Sequence, residues 1–230
     1  MIGIIAAMSV ELEKLVSAMT AKEKKTVSGL TFTKGMLEGE EVVCTVCGEG
    51  KVNAALCAEA MVLLYAPSLM INTGVAGALS DTLRVPDIAV ATAVAEHDYD
   101  ISPLGYQKGE VLFPGGSATS FEADRAFTDA VLLAARELSI HAESGVIVSG
   151  DAFIADAEKK AALVRDFGGI ACEMEGGAIG HVAFLNKTPF AVIRAVSDSA
   201  DDAAHYDPIR AAENSVALTR RAIALYKKLN

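Results

Sequence analysis

The chain is short of positive charge. It has 20 Lys and Arg against 30 Asp and Glu, a formal charge of −10 with histidine neutral. That balance excludes a polyanion held by bulk electrostatics, so neither nucleic acid nor an anionic membrane surface is an expected partner. Long apolar runs are also missing: none approaches the roughly 18 residues a spanning helix needs. The opening MIGIIAAM has no positive n-region and meets Glu11 early, so no signal peptide is read there and a cytoplasmic setting is expected. No Pro/Gly/Ser-rich linker and no repeat divides the chain. Cysteine is scarce, at four residues. Cys44 and Cys47 form a C-x-x-C inside the apolar run VVCTVCG, where strand geometry would turn them to opposite faces. Cys57 and Cys172 supply no second pair, so the four read as small buried hydrophobes.

What is abundant is apolar residue: 52% of 230 residues, with a mean hydropathy of +0.35. Disorder is excluded. A composition this apolar implies an extensive core, a buried subunit interface, or both.

The apolar runs alternate with helical patterns. Strands are expected over 2–7, 69–77, 87–100, 144–153 and 190–198. A hairpin over 30–37 and 41–48 turns at Glu38-Gly39-Glu40. Helices are expected over 10–19 with Ser9 as cap, and over 51–65, 122–138, 156–166, 175–186 and 207–229. The last carries Ile209, Ala212, Val216, Ile223 and Tyr226 near helical spacing, with lysines and arginines in its final turns. This alternation predicts one three-layer αβα domain over 1–230 with a mixed central sheet. Ligands of such folds lie in the crevice at the carboxyl ends of the strands.

Polar residues gather at those ends. Glu11 follows the first strand, where a carboxylate also suits a helix N-terminus. Gly48-Glu49-Gly50-Lys51 and Thr73-Gly74-Val75-Ala76-Gly77 are glycine loops that let backbone approach a ligand. Phe153 follows Ser149-Gly150-Asp151-Ala152, placed either to stack on a flat ring or to fold back onto the core. Glu173 and Glu175 flank Met174 at a helix start. Arg194 lies inside an apolar strand and needs a buried partner, and Ser197-Asp198 closes that strand.

Glu11, Glu175 and Asp198 thus come from separate strand ends. Carboxylates sharing a crevice suit a reaction that develops positive charge and needs both acid and base, such as cleavage of a glycosidic bond. Other chemistries lack their residues. There is no Walker loop, no G-x-S-x-G elbow, and no glycine fingerprint after the first strand, where Ala6-Ala7-Met8 stands. His97, Asp98 and Asp100 on one strand make only a weak metal set, and His181 and His205 stand alone, so no metal is expected.

Taken together, IGIIAAMSVE (2–11), GxGKVNAA (48–55), INTGxAG (71–77), HDxD (97–100), GY (105–106), VSGDAFI (148–154), CEMEGGAIGHVA (172–183) and VIRAVSD (192–198) resemble the 5′-methylthioadenosine/S-adenosylhomocysteine nucleosidases of the purine nucleoside phosphorylase-like superfamily. The resemblance spans essentially the whole chain. It implies a nucleoside substrate, water as nucleophile, no cofactor and a homodimer. By position, Asp198 would protonate adenine N7, with Ser197 holding it, and Glu11 would activate water. Glu175 would bind the ribose hydroxyls, with Met174 beside the sugar, and Met8 and Gly77 would also bind substrate. Phe153 would stack on adenine, the Ile154 backbone would read its edge, and Arg194 would organise the site. Ile101, Leu104 and Tyr106 would complete the partner's pocket. The departures cluster at the 5′ side: Glu49 and Val75, Leu104 for a common aromatic, Pro208 at the lid with Tyr206 as substitute, and a longer 109–115 segment around Phe113. Glu49 would favour a polar or cationic 5′ tail. The carboxylate at Glu11 repels phosphate, which argues against a phosphorylase. A futalosine-type nucleosidase is the nearest rival, and a non-catalytic nucleoside-binding protein would have no need of both Glu11 and Asp198.

Overall fold

The computed structural model describes residues 1–201 and 207–229. His205 and Tyr206 lie outside them. The elements run β1 (Ile2–Ala6), α1 (Ser9–Ala18), β2 (Thr20–Val27), β3 (Leu30–Leu37), β4 (Glu40–Val46), α2 (Lys51–Tyr65), β5 (Leu69–Ala78), β6 (Ile88–Glu96), β7 (Val111–Phe113), β8 (Gly116–Ala118) and β9 (Phe121–Glu122). They continue with α3 (Arg125–Glu137), β10 (Ala142–Ser149), α4 (Ala157–Phe167), β11 (Gly169–Glu173), α5 (Gly176–Asn186), β12 (Phe190–Asp198) and α6 (Pro208–Leu229).

The main sheet runs β11-β10-β6-β12-β5-β1-β4-β3-β2 and is mixed, as expected. β1 lies parallel to both β4 and β5, whereas β2, β3 and β4 pair antiparallel. β11 also pairs antiparallel with β5, so β5, β12, β6, β10 and β11 close into a ring. The inner strands β5 and β12 are buried along their whole length, which accounts for their unbroken apolar runs.

Pleating sends alternate residues to opposite faces. Ile2, Ile4 and Ala6 join one core with Leu12 and Leu15 of α1, Phe127 and Val131 of α3, and Val216 and Ile223 of α6. Ile5 joins the other with Ala54, Cys57 and Met61 of α2 and Ile179 and Ala183 of α5. These cores define the three layers. Cys44 packs in the first and Cys47 in the second, so the C-x-x-C is divided between faces. All four cysteines are free and buried; burial pushes the thiols of Cys44, Cys57 and Cys172 up to about 12 and raises Cys47 as well.

The structure corrects several expected boundaries. The helix after β1 starts at Ser9 rather than being capped by it: Met8 is the cap residue, and Glu11 accepts the Met8 N–H at 2.8 Å. β6 stops at Glu96, so His97, Asp98 and Asp100 follow it in a turn rather than sharing one strand. α3 starts at Arg125, because Phe121–Glu122 pairs with β6 and Asp124 caps the helix through the Phe127 N–H. β2 and β11 were not anticipated, nor was the hairpin of β7 and β8. No helix among the described residues is long and apolar enough to cross a membrane.

Candidate active site

A cavity of about 570 Å³ opens where the chain leaves β1, β4, β10, β11 and β12, against the end of β5. Its volume lies in the range of small-ligand pockets. Met8, Glu11, Gly77, Phe153, Ile154, Met174, Glu175, Arg194, Ser197 and Asp198 all line it, with Glu49, Val75 and Glu173. Strand ends remote in sequence therefore bring the expected residues to one place.

Glu11 is 2% exposed. While one oxygen takes the Met8 N–H, Oε1 accepts the Val75 N–H at 3.0 Å. The helix-terminus role and the cavity-lining position thus belong to the same side chain. Burial raises its carboxyl above the ordinary range, against the lowering effect of Arg194 and of the backbone N–H groups. A raised carboxylate is a stronger base.

Arg194 is 1% exposed and held by Glu173, Glu175 and Asn72. Its contact with Glu175 Oε2 is 3.3 Å. The buried partner that an arginine in an apolar strand requires is therefore chiefly Glu173, to which the sequence reading gave no role. Glu173 also accepts the N–H groups of Glu175, at 3.1 Å, and of Gly176, at 2.8 Å, which anchors the start of α5. The Ser149 hydroxyl donates to Glu173 and accepts from the Gly177 N–H at 2.6 Å. Gly74 pairs with Arg194 across β5 and β12, and any Cβ there would strike the guanidinium and Glu11. Close approach, rather than a turn, accounts for that glycine.

Glu175 accepts the Gly50 N–H at 2.9 Å. Burial raises its carboxyl to about 7; Arg194 opposes the rise and the Glu173 charge adds to it. Asp198 is held on both oxygens: Ser197 Oγ lies 2.8 Å from Oδ2, and the Ala200 N–H donates to Oδ1 at 2.9 Å. Neighbours on a regular strand face opposite ways, yet Ser197 and Asp198 line the same cavity. The register of β12 against β5 shifts between Val196 and Asp198, and this irregularity brings both side chains to one side.

Phe153 is 58% exposed, so its ring stands in the cavity wall instead of folding into the core. Ile101, Leu104 and Tyr106 do not line the cavity. They sit in and around a short 3-10 turn, Ser102–Leu104, with Leu104 and Tyr106 exposed on the outside. Phe113 is also elsewhere, packed on His181 and Phe184. Pro208 is the first residue of α6. Among the described residues no group of three or more His, Cys, Asp or Glu side chains is arranged to hold a metal ion.

The family model of the phosphorylase superfamily matches residues 1–227 of this chain, the whole of the mixed sheet and its pocket included. A 5′-methylthioadenosine/S-adenosylhomocysteine nucleosidase of Shewanella loihica is 39% identical over 203 residues, covering 87% of each chain. The solved Neisseria meningitidis enzyme of the same name, in complex with methylthio-immucillin-A, is 34% identical with a TM-score of 0.91, covering 97% of this chain and 98% of that one. A futalosine hydrolase of Helicobacter pylori is 28% identical with a TM-score of 0.90, covering 96% of both. The chain belongs to the 5′-methylthioadenosine/S-adenosylhomocysteine nucleosidases within that superfamily.

Proposed function

We propose that the chain hydrolyses the N-glycosidic bond of adenine nucleosides carrying a 5′-thioether, 5′-methylthioadenosine and S-adenosylhomocysteine. The observation that carries the choice of water over phosphate is the state of Arg194. Among the described residues lining the cavity it is the one cation, and its charge is committed to Glu173 and Glu175. An incoming phosphate would face carboxylates instead.

Glu11 takes a proton from the attacking water as the bond to the base lengthens. Asp198 delivers a proton to adenine N7, so the base leaves neutral. Ser197 and the Ala200 N–H fix the carboxyl that makes this transfer. Glu175 accepts hydrogen bonds from the ribose hydroxyls. Met8, Met174 and Gly77 shape the sugar pocket, Phe153 stacks on the base, and the Ile154 backbone reads its edge. Positive charge developing on the sugar is met by the surrounding carboxylates. Glu49 stands in the same wall and biases the 5′ end toward a polar or cationic substituent.

The active unit is a homodimer in which Ile101, Leu104 and Tyr106 reach the partner's pocket. What supports this is the apolar surface of Leu104, Tyr106, and Val52, Leu56 and Leu63 on α2. A cytoplasmic setting fits four free thiols.

The test is adenine release from methylthioadenosine, adenosylhomocysteine and 6-amino-6-deoxyfutalosine, with and without phosphate. The thioether nucleosides are expected to turn over fastest, with no gain from phosphate and the free 5-thio-substituted ribose as product. Formation of the 5-thio-substituted ribose 1-phosphate, or preference for the futalosine substrate, would overturn the assignment. Asp198→Asn and Glu11→Gln should each lower kcat by roughly 10²–10⁴.

A further inference from the structure

The loop Gly150–Ile154 carries the groups assigned to the base, and two of its ties run to elements remote in sequence. The Asp151 N–H donates to Asp98 Oδ2 at 2.9 Å, and Asp151 Oδ1 accepts the Lys51 N–H at 2.8 Å. The Lys51 ammonium donates to Asp98 Oδ1 at 2.6 Å. These bonds close a ring: Lys51 holds Asp151 directly through its backbone, and again through Asp98 by its side chain.

The ammonium also donates to Glu96 Oε2 at 3.1 Å, and Glu96 Oε1 lies 3.0 Å from His181 Nδ1. The Lys51 and Glu96 side chains are 17% and 10% exposed, so the pair is largely withdrawn from water. Charge-assisted bonds in such surroundings hold geometry better than an exposed ion pair does. The residue before Lys51 completes the pattern, because the Gly50 N–H donates to Glu175. The first turn of α2 thus holds the base loop on one side and the sugar carboxylate on the other.

We propose that Lys51 is a positioning residue that fixes the Phe153 loop at a set distance from Glu175, so that base and ribose are gripped in one register. Lys51 does not line the cavity and acts through Asp98 and Asp151. The proposal rests on the nucleosidase reading for what the loop grips, but the clasp itself can be read independently.

Loop contacts to the base are made in the ground state and the transition state alike, so their loss raises KM more than it lowers kcat. Lys51→Gln is expected to raise KM for methylthioadenosine about 10-fold and to keep kcat within about 3-fold. Lys51→Arg, which keeps the charge and donors, should recover most of that loss. Asp98→Asn should shift KM the same way, and the Lys51→Gln/Asp98→Asn double variant should be no worse than the poorer single one, because both act in one ring.

The chain has no tryptophan. Phe153→Trp therefore places a lone indole on the loop, and adding Lys51→Gln should lower its fluorescence anisotropy without changing the unfolding midpoint by more than a few degrees. An unchanged KM and unchanged anisotropy in Lys51→Gln would overturn the proposal. So would a fall in kcat at constant KM, or a loss that Lys51→Arg does not recover. If the wild type releases no adenine, the nucleosidase reading fails, and the anisotropy comparison still decides the role of Lys51.

Discussion

Arg194 and the glutamates around it show how one buried charge shapes a site. Burial raises Glu175 to about 7 from an ordinary 4.5 even with the guanidinium against it. The native state then holds a proton there that the unfolded chain has already released. Stability from this group is present below about pH 4.5 and is lost as pH rises through about 7. Thermal melts of the free protein should therefore show a midpoint that falls from pH 5 to pH 8, with a smaller fall in Glu175→Gln. In the proposed mechanism catalysis runs the other way: a ribose hydroxyl would donate to the ionised form of Glu175, and Glu11, also raised, would have to be ionised to accept a proton from water. The kcat/KM profile should climb through about 7 as Glu175 ionises, and the raised Glu11 carboxyl acts in the same direction. At this scale much was legible: Glu11, Phe153, Glu175, Arg194 and Asp198 announce themselves as polar or aromatic residues just past apolar runs. Glu173 was visible beside Met174, but its pairing with Arg194 was hidden because it closes a strand too short to read, and Asn72 because it lies in the middle of one. The shared orientation of Ser197 and Asp198 depends on a register irregularity that no residue type signals.

Helix α5 reaches the sheet because its facing residues are small. A Cβ on Gly180 would lie 2.5 Å from Val94 Cγ2 and 2.8 Å from Phe190 Cζ. Gly180→Ala must push the helix outward and should cost about 1–3 kcal/mol in urea unfolding, despite alanine's better helix propensity. Since the start of α5 presents Glu175, the same variant should also weaken nucleoside binding. Elements that are long and apolar were read closely: α2 matches its expected span, and β12 does too. Those that escaped are polar or short. β2 reads TAKEKKTV and is exposed almost throughout, so no buried face marks it. β11 has five residues and begins at a glycine. The 87–100 run overshot because the apolar stretch ends at Ala95 and the chain turns at His97 and Asp98, directly after Glu96.

For the molecule as a whole, the high apolar fraction is only partly explained by its two large cores. Val52 and Leu63 of α2 are 79% and 74% exposed, and Phe184 and Leu185 of α5 stand beside the same layer in solvent. α2 and α5 pack on each other, so these residues extend one face. The proposed dimer predicts that wild type sediments at twice the chain mass. Leu56→Glu with Leu63→Glu should give a folded monomer with less than about a tenth of the activity, since like charges and lost apolar burial oppose the contact. A fully active monomer would remove Leu104 and Tyr106 from the site.

Strand β2 bounds the sheet on the far side from this chemistry. Its exposed residues include Lys22, Glu23, Lys24 and Lys25. A second copy laid along that edge would have to crowd lysines together before its main chain could pair. A chain that is half apolar therefore carries its own stop signal against fibre growth, written in the segment with the least structure to recommend it.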